Sequence, residues 1–217
     1  MKKNNIKTII TAVGIIALIG ALFYFGGRNK SSTTSPAAID PMHNSAAANL
    51  SISSLNNLAD KPAPDFSFAD RDGKVYSSDN LRGKNVILFF NEGLMCYPAC
   101  WNQIVALSKD DRFKNDDTLV LSVVVDSKED WQQAINKMPE LAQATVVFDK
   151  DAGVSKNFGI LSTPSSMHPG SFPGHTFVII DKEGVIRYVF DDPNMGIRND
   201  QLWSEVTKLI PDDSNTQ

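Results

Sequence analysis

Cys96 and Cys100 are the side chains of this sequence best suited to chemistry, and they are the two cysteines of its 217 residues. A thiolate attacks disulfides and peroxides, and it binds soft metal ions. The pair lies where an apolar run, Val86 to Phe90, is followed by a helical pattern that begins at Pro98. We therefore expect both sulfurs at the N-terminus of a helix, where the helix dipole stabilises a thiolate.

The short spacing argues against a purely structural cross-link, because the entropic gain from a disulfide grows with the length of the loop that it closes. A strained, accessible disulfide is also easily reduced. We predict a redox-active or metal-binding pair, in which Cys96 is the more exposed sulfur and the nucleophile and Cys100 is the resolving thiol. A structural disulfide, or two inert thiols, is the weaker alternative.

Three other polar side chains are candidates for the same site. His175 opens a predicted strand and could act as a general base, raise the thiolate fraction or bind a metal, or it could be a buried, hydrogen-bonded residue without chemistry. Glu92 could relay protons, although a surface charge is the favoured interpretation. His168 lies in a loop rich in proline, glycine and serine, where an exposed loop is favoured over a lid. Trp101 has the helical phase of a core residue.

The elements that position these residues alternate between strand and helix patterns. A hairpin is predicted around the turn 70–73, and the closing hairpin surrounds the turn 181–184. The other predicted strands are 86–90, 119–125 and 145–148, and the predicted helices are 98–109, 127–138 capped by Ser127, 151–158, and a last helix capped by Asn199 or Asp200. This order predicts an α/β fold with a central mixed sheet flanked by helices.

Several spaced motifs make residues 61–210 resemble the redoxin group, the alkyl hydroperoxide reductase/thiol-specific antioxidant family of thioredoxin-like proteins. These motifs are Ala63-Pro64-Asp65-Phe66, Asp72-Gly73-Lys74, Leu81-Arg82-Gly83-Lys84, the apolar strand into a cysteine-bearing helix, and HTFVIIDKEGVIRYVF. The resemblance implies a thioredoxin-like fold and a peroxiredoxin-like antioxidant or thiol–disulfide oxidoreductase. Its partners would be protein or small-molecule disulfides or peroxides and an unidentified thiol reductant, and no cofactor is expected.

The site departs from the peroxiredoxin pattern Pro-x-x-x-Thr/Ser-x-x-Cys. Gly93 and Phe89 occupy the two required places before Cys96, and Gly174 and His175 stand where peroxiredoxins carry an arginine. Without a hydroxyl and an arginine to polarise peroxide, peroxidase activity is expected to be inefficient.

An alternative resemblance is to Sco-type copper chaperones, which combine Cys-x-x-x-Cys with a histidine. It implies a Cu(I) site formed by Cys96, Cys100 and His175, whose thiolate and imidazole donors suit that ion.

An uncharged apolar run, Thr8 to Phe25, predicts a single-pass membrane anchor within residues 1–27, with a cleaved signal peptide as the alternative. The preceding lysines favour an N-in orientation and an extracytoplasmic domain, where disulfides persist. Residues 28–60 are predicted to be a flexible linker, 61–211 the redoxin domain and 212–217 a disordered tail. The net charge of −4, without a basic stripe, argues against nucleic-acid binding.

Overall fold

The computed structural model describes residues 55–210, which form one seven-stranded sheet with helices on both faces. The strands are β1 (Ser67–Asp70), β2 (Val75–Ser77), β3 (Asn85–Asn91), β4 (Thr118–Val124), β5 (Val146–Phe148), β6 (Thr176–Ile180) and β7 (Ile186–Asp191). The helices are α1 (Ala99–Lys109), α2 (Lys128–Lys137), α3 (Gly153–Asn157) and α4 (Asn199–Thr207). Short 3₁₀ turns occupy Gly93–Cys96, Asp111–Phe113, Pro139–Gln143 and Lys150–Ala152.

The sheet is mixed, with strand order β2-β1-β5-β4-β3-β6-β7. β3, β4 and β5 are mutually parallel, whereas β6 runs antiparallel to β3, and β7 antiparallel to β6. All seven residues of the central strand β3 are buried, as its continuous apolar sequence requires. The prediction of a thioredoxin-like α/β fold with a mixed central sheet is confirmed.

The two faces of β3 belong to two hydrophobic cores, because successive side chains of a strand point to opposite faces. Ile87 and Phe89 pack with residues of α1, α2 and α4. Val86, Leu88 and Phe90 pack with the β1–β2 hairpin and the region around α3. The cysteine-bearing helix α1 therefore lies over the face that presents Phe89.

The register of the sheet brings three chain segments together at one edge. Phe90 pairs with Thr176, so the start of β6 lies beside the end of β3. Thr176 also pairs with Asp191, so the end of β7 reaches the same edge. The turn after β3, the residue before β6 and the loop after β7 are consequently neighbours.

The predicted helix caps had different outcomes. The Ser127 cap of α2 is confirmed, since the Ser127 hydroxyl accepts a hydrogen bond from the Asp130 backbone N–H at 3.0 Å. The predicted Asn199 or Asp200 cap of α4 is wrong, because Asn199 is the first helical residue. Its amide binds partners on α1 instead, and accepts a hydrogen bond from Gln103 at 3.0 Å.

The predicted linker ends earlier than residue 60. Leu55 is buried in the core that contains the β1–β2 hairpin, and the Asp60 backbone N–H donates to the Ile186 carbonyl at 2.7 Å. An apolar side chain and a strand-edge hydrogen bond thus attach residues 55–60 to the domain. The anchor, the rest of the linker and the predicted tail lie outside the described residues. Among residues 55–210, no helix combines the length and apolar character needed to cross a bilayer.

Candidate active site

Cys96 and Cys100 form a disulfide across the junction between β3 and α1. Cys96 ends the 3₁₀ turn Gly93–Cys96, and Cys100 lies in the first turn of α1, with the two Cα atoms 5.4 Å apart. Both side chains are nearly inaccessible, with Cys96 3% and Cys100 1% exposed. Cys96 is the more exposed of the two, in the predicted order, but the difference is small because both sulfurs join the hydrophobic core between the sheet and the helices.

The turn that carries Cys96 is fixed from two sides. The Leu94 backbone N–H donates to the Asp126 carboxylate at 3.0 Å, and the Trp101 indole N–H donates to the Gly93 carbonyl at 3.0 Å. Gly93 has φ +58°, and a Cβ there would overlap the Asp126 carboxylate, so only glycine fits. Burial raises the pKa of Asp126 above its usual value. The predicted core position of Trp101 is confirmed.

His175 lies directly before β6, and its Nδ1 atom is 3.4 Å from Cys100 Sγ. The ring is 1% exposed and makes edge contacts with Phe89 and Phe177, at centroid distances of 4.6 and 5.3 Å. Burial lowers the pKa of His175 from 6.5 to about 4, and the nearby Asp192 carboxylate offsets only part of this effect. The imidazole is therefore neutral at pH 7.

In the disulfide state neither sulfur carries a proton, so the contact between His175 and Cys100 is a hydrogen bond only in the tautomer whose Nδ1–H donates to Cys100 Sγ. After reduction, a Cys100 thiol at this position lies within reach of Nδ1. No hydrogen-bond partner of good geometry faces Nε2 from residues 55–210. A proton on Nε2 leaves the Nδ1 lone pair facing the sulfur, which is the arrangement that a base requires.

A glycine and a polar cluster hold the backbone of His175 in place. A Cβ on Gly174 would overlap the side chains of Thr163 and Ser165, so the chain before β6 passes too close for any other residue. The Thr176 hydroxyl donates to the Asp191 carboxylate at 2.8 Å, and the Ser165 N–H donates to the same carboxylate at 3.0 Å. These contacts connect the loop before β6 to the end of β7.

The loop after β7 contributes Met195, which the sequence analysis did not identify. Its Sδ atom lies 3.9 Å from Cys96 Sγ. The loop is organised by Asp192, whose buried carboxylate accepts two hydrogen bonds from Arg198, at 2.6 and 2.7 Å, and others from the Asn194 and Gly196 backbones. Because β7 pairs with β6, the loop that follows β7 begins beside His175. The predicted closing hairpin was therefore the sequence feature that could have located this loop at the site.

Glu92 is buried rather than a surface charge, so the favoured interpretation of this residue is wrong. It is 2% exposed, and its carboxylate is 2.9 Å from Nδ1 of His168. The carboxylate also accepts hydrogen bonds from the Met167 and His168 backbones at 2.6 and 3.0 Å, and from the Ser166 hydroxyl at 3.1 Å. This set of donors compensates for the loss of water around the charge. The His168 side chain is 40% exposed, and its loop is fastened to the residue that begins the cysteine turn.

The structure thus brings together the three residues that were predicted to form the site. One potential ligand atom each from Cys96, Cys100 and His175 lies within 4.8 Å of the others. Thiolates and an imidazole in this arrangement can exchange disulfides, or can hold a soft metal ion once the disulfide is reduced.

Comparisons with known proteins concern the family and the fold of the chain. The AhpC/TSA family model matches residues 59–189, which is more than half of the chain. A chloroplastic peroxiredoxin Q of Triticum aestivum is 29% identical over 135 residues, covering 59% of this chain. The matched segment spans 57% of the wheat protein, which is less than two thirds of its length.

Two solved structures show the same fold. The mitochondrial 2-Cys peroxiredoxin of Plasmodium falciparum has a TM-score of 0.58 and 22% identity, covering 74% of this chain and 99% of that chain. A peroxiredoxin-like protein from Aquifex aeolicus has a TM-score of 0.58 and 17% identity, covering 70% of this chain and 87% of that chain. At these identities the likeness establishes the fold alone.

Proposed function

Because this chain belongs to the AhpC/TSA family, we propose that it is a thiol–disulfide oxidoreductase that cycles between a Cys96–Cys100 disulfide and the dithiol. One observation carries the proposal: the two sulfurs are bonded across a strand-to-helix junction, and an imidazole nitrogen lies 3.4 Å from one of them. The N-terminus of α1 stabilises a thiolate at this junction.

In the forward direction, the Cys96 thiolate attacks a substrate disulfide. A bond forms between Cys96 Sγ and one substrate sulfur, and the other substrate sulfur leaves as a thiolate. The Cys100 thiolate then attacks Cys96 Sγ, releases the second substrate sulfur and forms the intramolecular disulfide. A thiol reductant restores the dithiol and is itself oxidised to a disulfide.

His175 acts on Cys100 in this scheme. Its neutral Nδ1 takes the proton of the Cys100 thiol as that sulfur attacks, and later passes the proton to the departing thiolate. Burial lowers the pKa of His175 in the disulfide-bonded protein, and a neutral ring has a lone pair at Nδ1 that can accept the Cys100 proton. The ring therefore serves the resolving step and does not activate Cys96.

Peroxide is a second oxidant for the same pair. The Cys96 thiolate attacks one peroxide oxygen, the O–O bond breaks, the other oxygen leaves as hydroxide or alkoxide and takes up a proton, and Cys96 becomes a sulfenic acid. Cys100 then displaces water from Cys96 Sγ to give the same disulfide. Because the hydroxyl and arginine of peroxiredoxins are replaced by Gly93 and His175, we expect this reaction to be slower than disulfide exchange.

Trapping of intermediates in the full-length chain tests the assignment of the two cysteines. Cys100→Ser should accumulate a mixed disulfide at Cys96 when a disulfide substrate is added, because no resolving thiol remains. Cys96→Ser is the matched control and should accumulate none. Trapping in Cys96→Ser alone would reverse the roles, and trapping in neither variant would refute thiol–disulfide exchange.

Copper binding is a second candidate function, favoured by the convergence of three soft donors within 4.8 Å. The disulfide must be reduced before Cys96 and Cys100 can ligate an ion. Anaerobic titration of the reduced full-length chain with Cu(I) tests this function. A stoichiometric complex that is lost in His175→Ala supports it, whereas no saturable binding rules it out.

We further propose that the domain acts outside the cytoplasm, attached to a membrane by residues 1–27. The apolar run Thr8 to Phe25 and the lysines that precede it support this proposal. Protease protection in sealed membrane vesicles tests it. Digestion of the domain from the cytoplasmic side, or its release by alkaline carbonate, would contradict the proposal.

A further inference from the structure

Each sulfur of the disulfide is in contact with one side chain from the β6 and β7 segments that meet the cysteine turn at the same edge of the sheet. Cys100 Sγ is 3.4 Å from His175 Nδ1, and Cys96 Sγ is 3.9 Å from Met195 Sδ. A thiolate attacks a disulfide sulfur from the side opposite the sulfur that leaves. Both sulfurs are almost completely buried, so a neighbouring side chain must move before a reductant can enter.

The two neighbours differ in their freedom to move. His175 is 1% exposed and is packed between Phe89 and Phe177, so displacing it would disrupt aromatic contacts of the core. Met195 lies at the margin of that core, is partly exposed and has an unbranched chain with three rotatable bonds. Its thioether lies 3.9 Å from Cys96 Sγ, and this contact is not a hydrogen bond because neither sulfur carries a proton in the disulfide. Entry is therefore easier at Cys96.

The backbone of the Met195 loop, in contrast, is firmly held. The Met195 N–H donates to the Asp192 carbonyl at 3.0 Å, and the Asp192 N–H donates to the His175 carbonyl at 2.9 Å. The ion pair between Asp192 and Arg198 closes the loop at 2.6 Å, and Gln103 accepts the Arg198 N–H at 2.7 Å. The movable part is thus the Met195 side chain and not the loop.

We propose that Met195 is a specificity-determining gate, which controls the access of external thiolates to Cys96 Sγ. This inference rests on the proposed thiol–disulfide exchange. A reductant that makes contacts with the protein surface can displace the thioether as it docks, whereas a small thiol has no such contacts. The gate therefore favours a protein reductant over small thiols.

Reduction of the Cys96–Cys100 disulfide by an external thiol proceeds in two exchange steps. The reductant thiolate bonds to Cys96 Sγ, the Cys96–Cys100 bond breaks, and the electron pair of that bond goes to Cys100 Sγ. The resulting Cys100 thiolate receives its proton through His175, which lies 3.4 Å away. A second reductant thiolate attacks the reductant's own sulfur in the mixed disulfide. Cys96 leaves as a thiolate, and the reductant is released as a disulfide.

Truncation of Met195 in the oxidised full-length chain tests the gate, with glutathione as the small thiol at fixed pH. Met195→Ala should raise the rate constant for reduction about tenfold or more. Met195→Asn should do the same, and it suits the left-handed backbone at this position, where φ is +49°. Met195→Leu retains an apolar atom at the δ position, where the sulfur lies, and should stay within about twofold of the wild type. Met167→Ala is the matched control, because Met167 is an exposed methionine in the loop that Glu92 holds.

The equilibrium reduction potential separates a gate from a structural effect. A gate changes the forward and reverse rates equally, so a tenfold faster reduction should leave the potential unchanged. A disulfide that is merely destabilised would instead shift by about 30 mV for each tenfold change in the equilibrium constant. Unchanged rates in both truncations, a rate in Met195→Leu equal to that in Met195→Ala, or such a shift would each overturn the gate.

The trapping experiment shows whether a negative result contradicts the Met195 gate alone or also the proposed thiol–disulfide exchange. If Cys100→Ser traps a mixed disulfide and the Met195 truncations leave the rate unchanged, exchange stands and the gate is wrong. If Cys100→Ser traps nothing while the truncations have no effect, both are wrong.

Discussion

Burial of His175 should make the stability of the oxidised protein depend on pH in a specific window. Its pKa falls from 6.5 to about 4, because the folded protein removes the ring from water. The unfolded chain therefore binds a proton as the pH falls below about 6.5, whereas the folded chain does not until about pH 4. The free energy of unfolding contributed by this residue is at its maximum above pH 6.5 and decreases as the pH falls through that window.

The size of the effect follows from the shift. One pKa unit corresponds to about 1.4 kcal/mol, so a change from 6.5 to about 4 is worth about 3 kcal/mol between pH 7 and pH 4. Urea unfolding of the oxidised chain at several pH values measures it, and oxidation prevents the cysteines from titrating. Carboxylates also titrate in this range. The slope of the free energy of unfolding against pH is therefore compared between the wild type and matched variants.

The matched variants are His175→Gln and His168→Gln. The first should lose the slope between pH 6.5 and 5, because glutamine does not titrate, whatever its effect on stability at pH 7. The second should retain the slope contributed by His175. Equal slopes in the wild type and His175→Gln would refute the argument, as would an NMR titration of His175 with a pKa near 6.5.

Two further predictions concern the segments that hold the site. Gly93→Ala should destabilise the protein by about 1–3 kcal/mol in urea unfolding, because the new Cβ would overlap the Asp126 carboxylate at φ +58°. Gly73→Ala also has a positive φ but open space around it, and should cost less, so equal losses would contradict the steric explanation. Glu92→Gln should accelerate amide hydrogen exchange in residues 166–168, because the loop loses a charged acceptor for several donors. Unchanged protection would show that the carboxylate does not fasten the loop.

The sequence by itself determined the fold class and identified the residue types that are suited to chemistry. Continuous apolar runs such as Val86 to Phe90 can be buried only in the middle of a sheet covered on both faces, and the periodicity of the helices is equally local. The position of Cys96 and Cys100 between such a strand and a helix is also a local property. These features depend on side-chain patterns over a few residues, which a single sequence displays directly.

Only the tertiary structure decided the surroundings of the two sulfurs. Glu92 was expected at the surface, yet it is buried because the distant loop 166–168 supplies its hydrogen-bond donors. Cys96 was expected to be the more exposed sulfur, yet it is almost as buried as Cys100, and Met195, almost one hundred residues later in the chain, lies 3.9 Å from it. Burial and contact arise from the register of β3, β6 and β7, which pairs residues far apart in sequence. The pattern of residues along the chain does not specify that register. The solvent accessibility of a side chain, unlike its chemical type, is therefore a property of the folded protein.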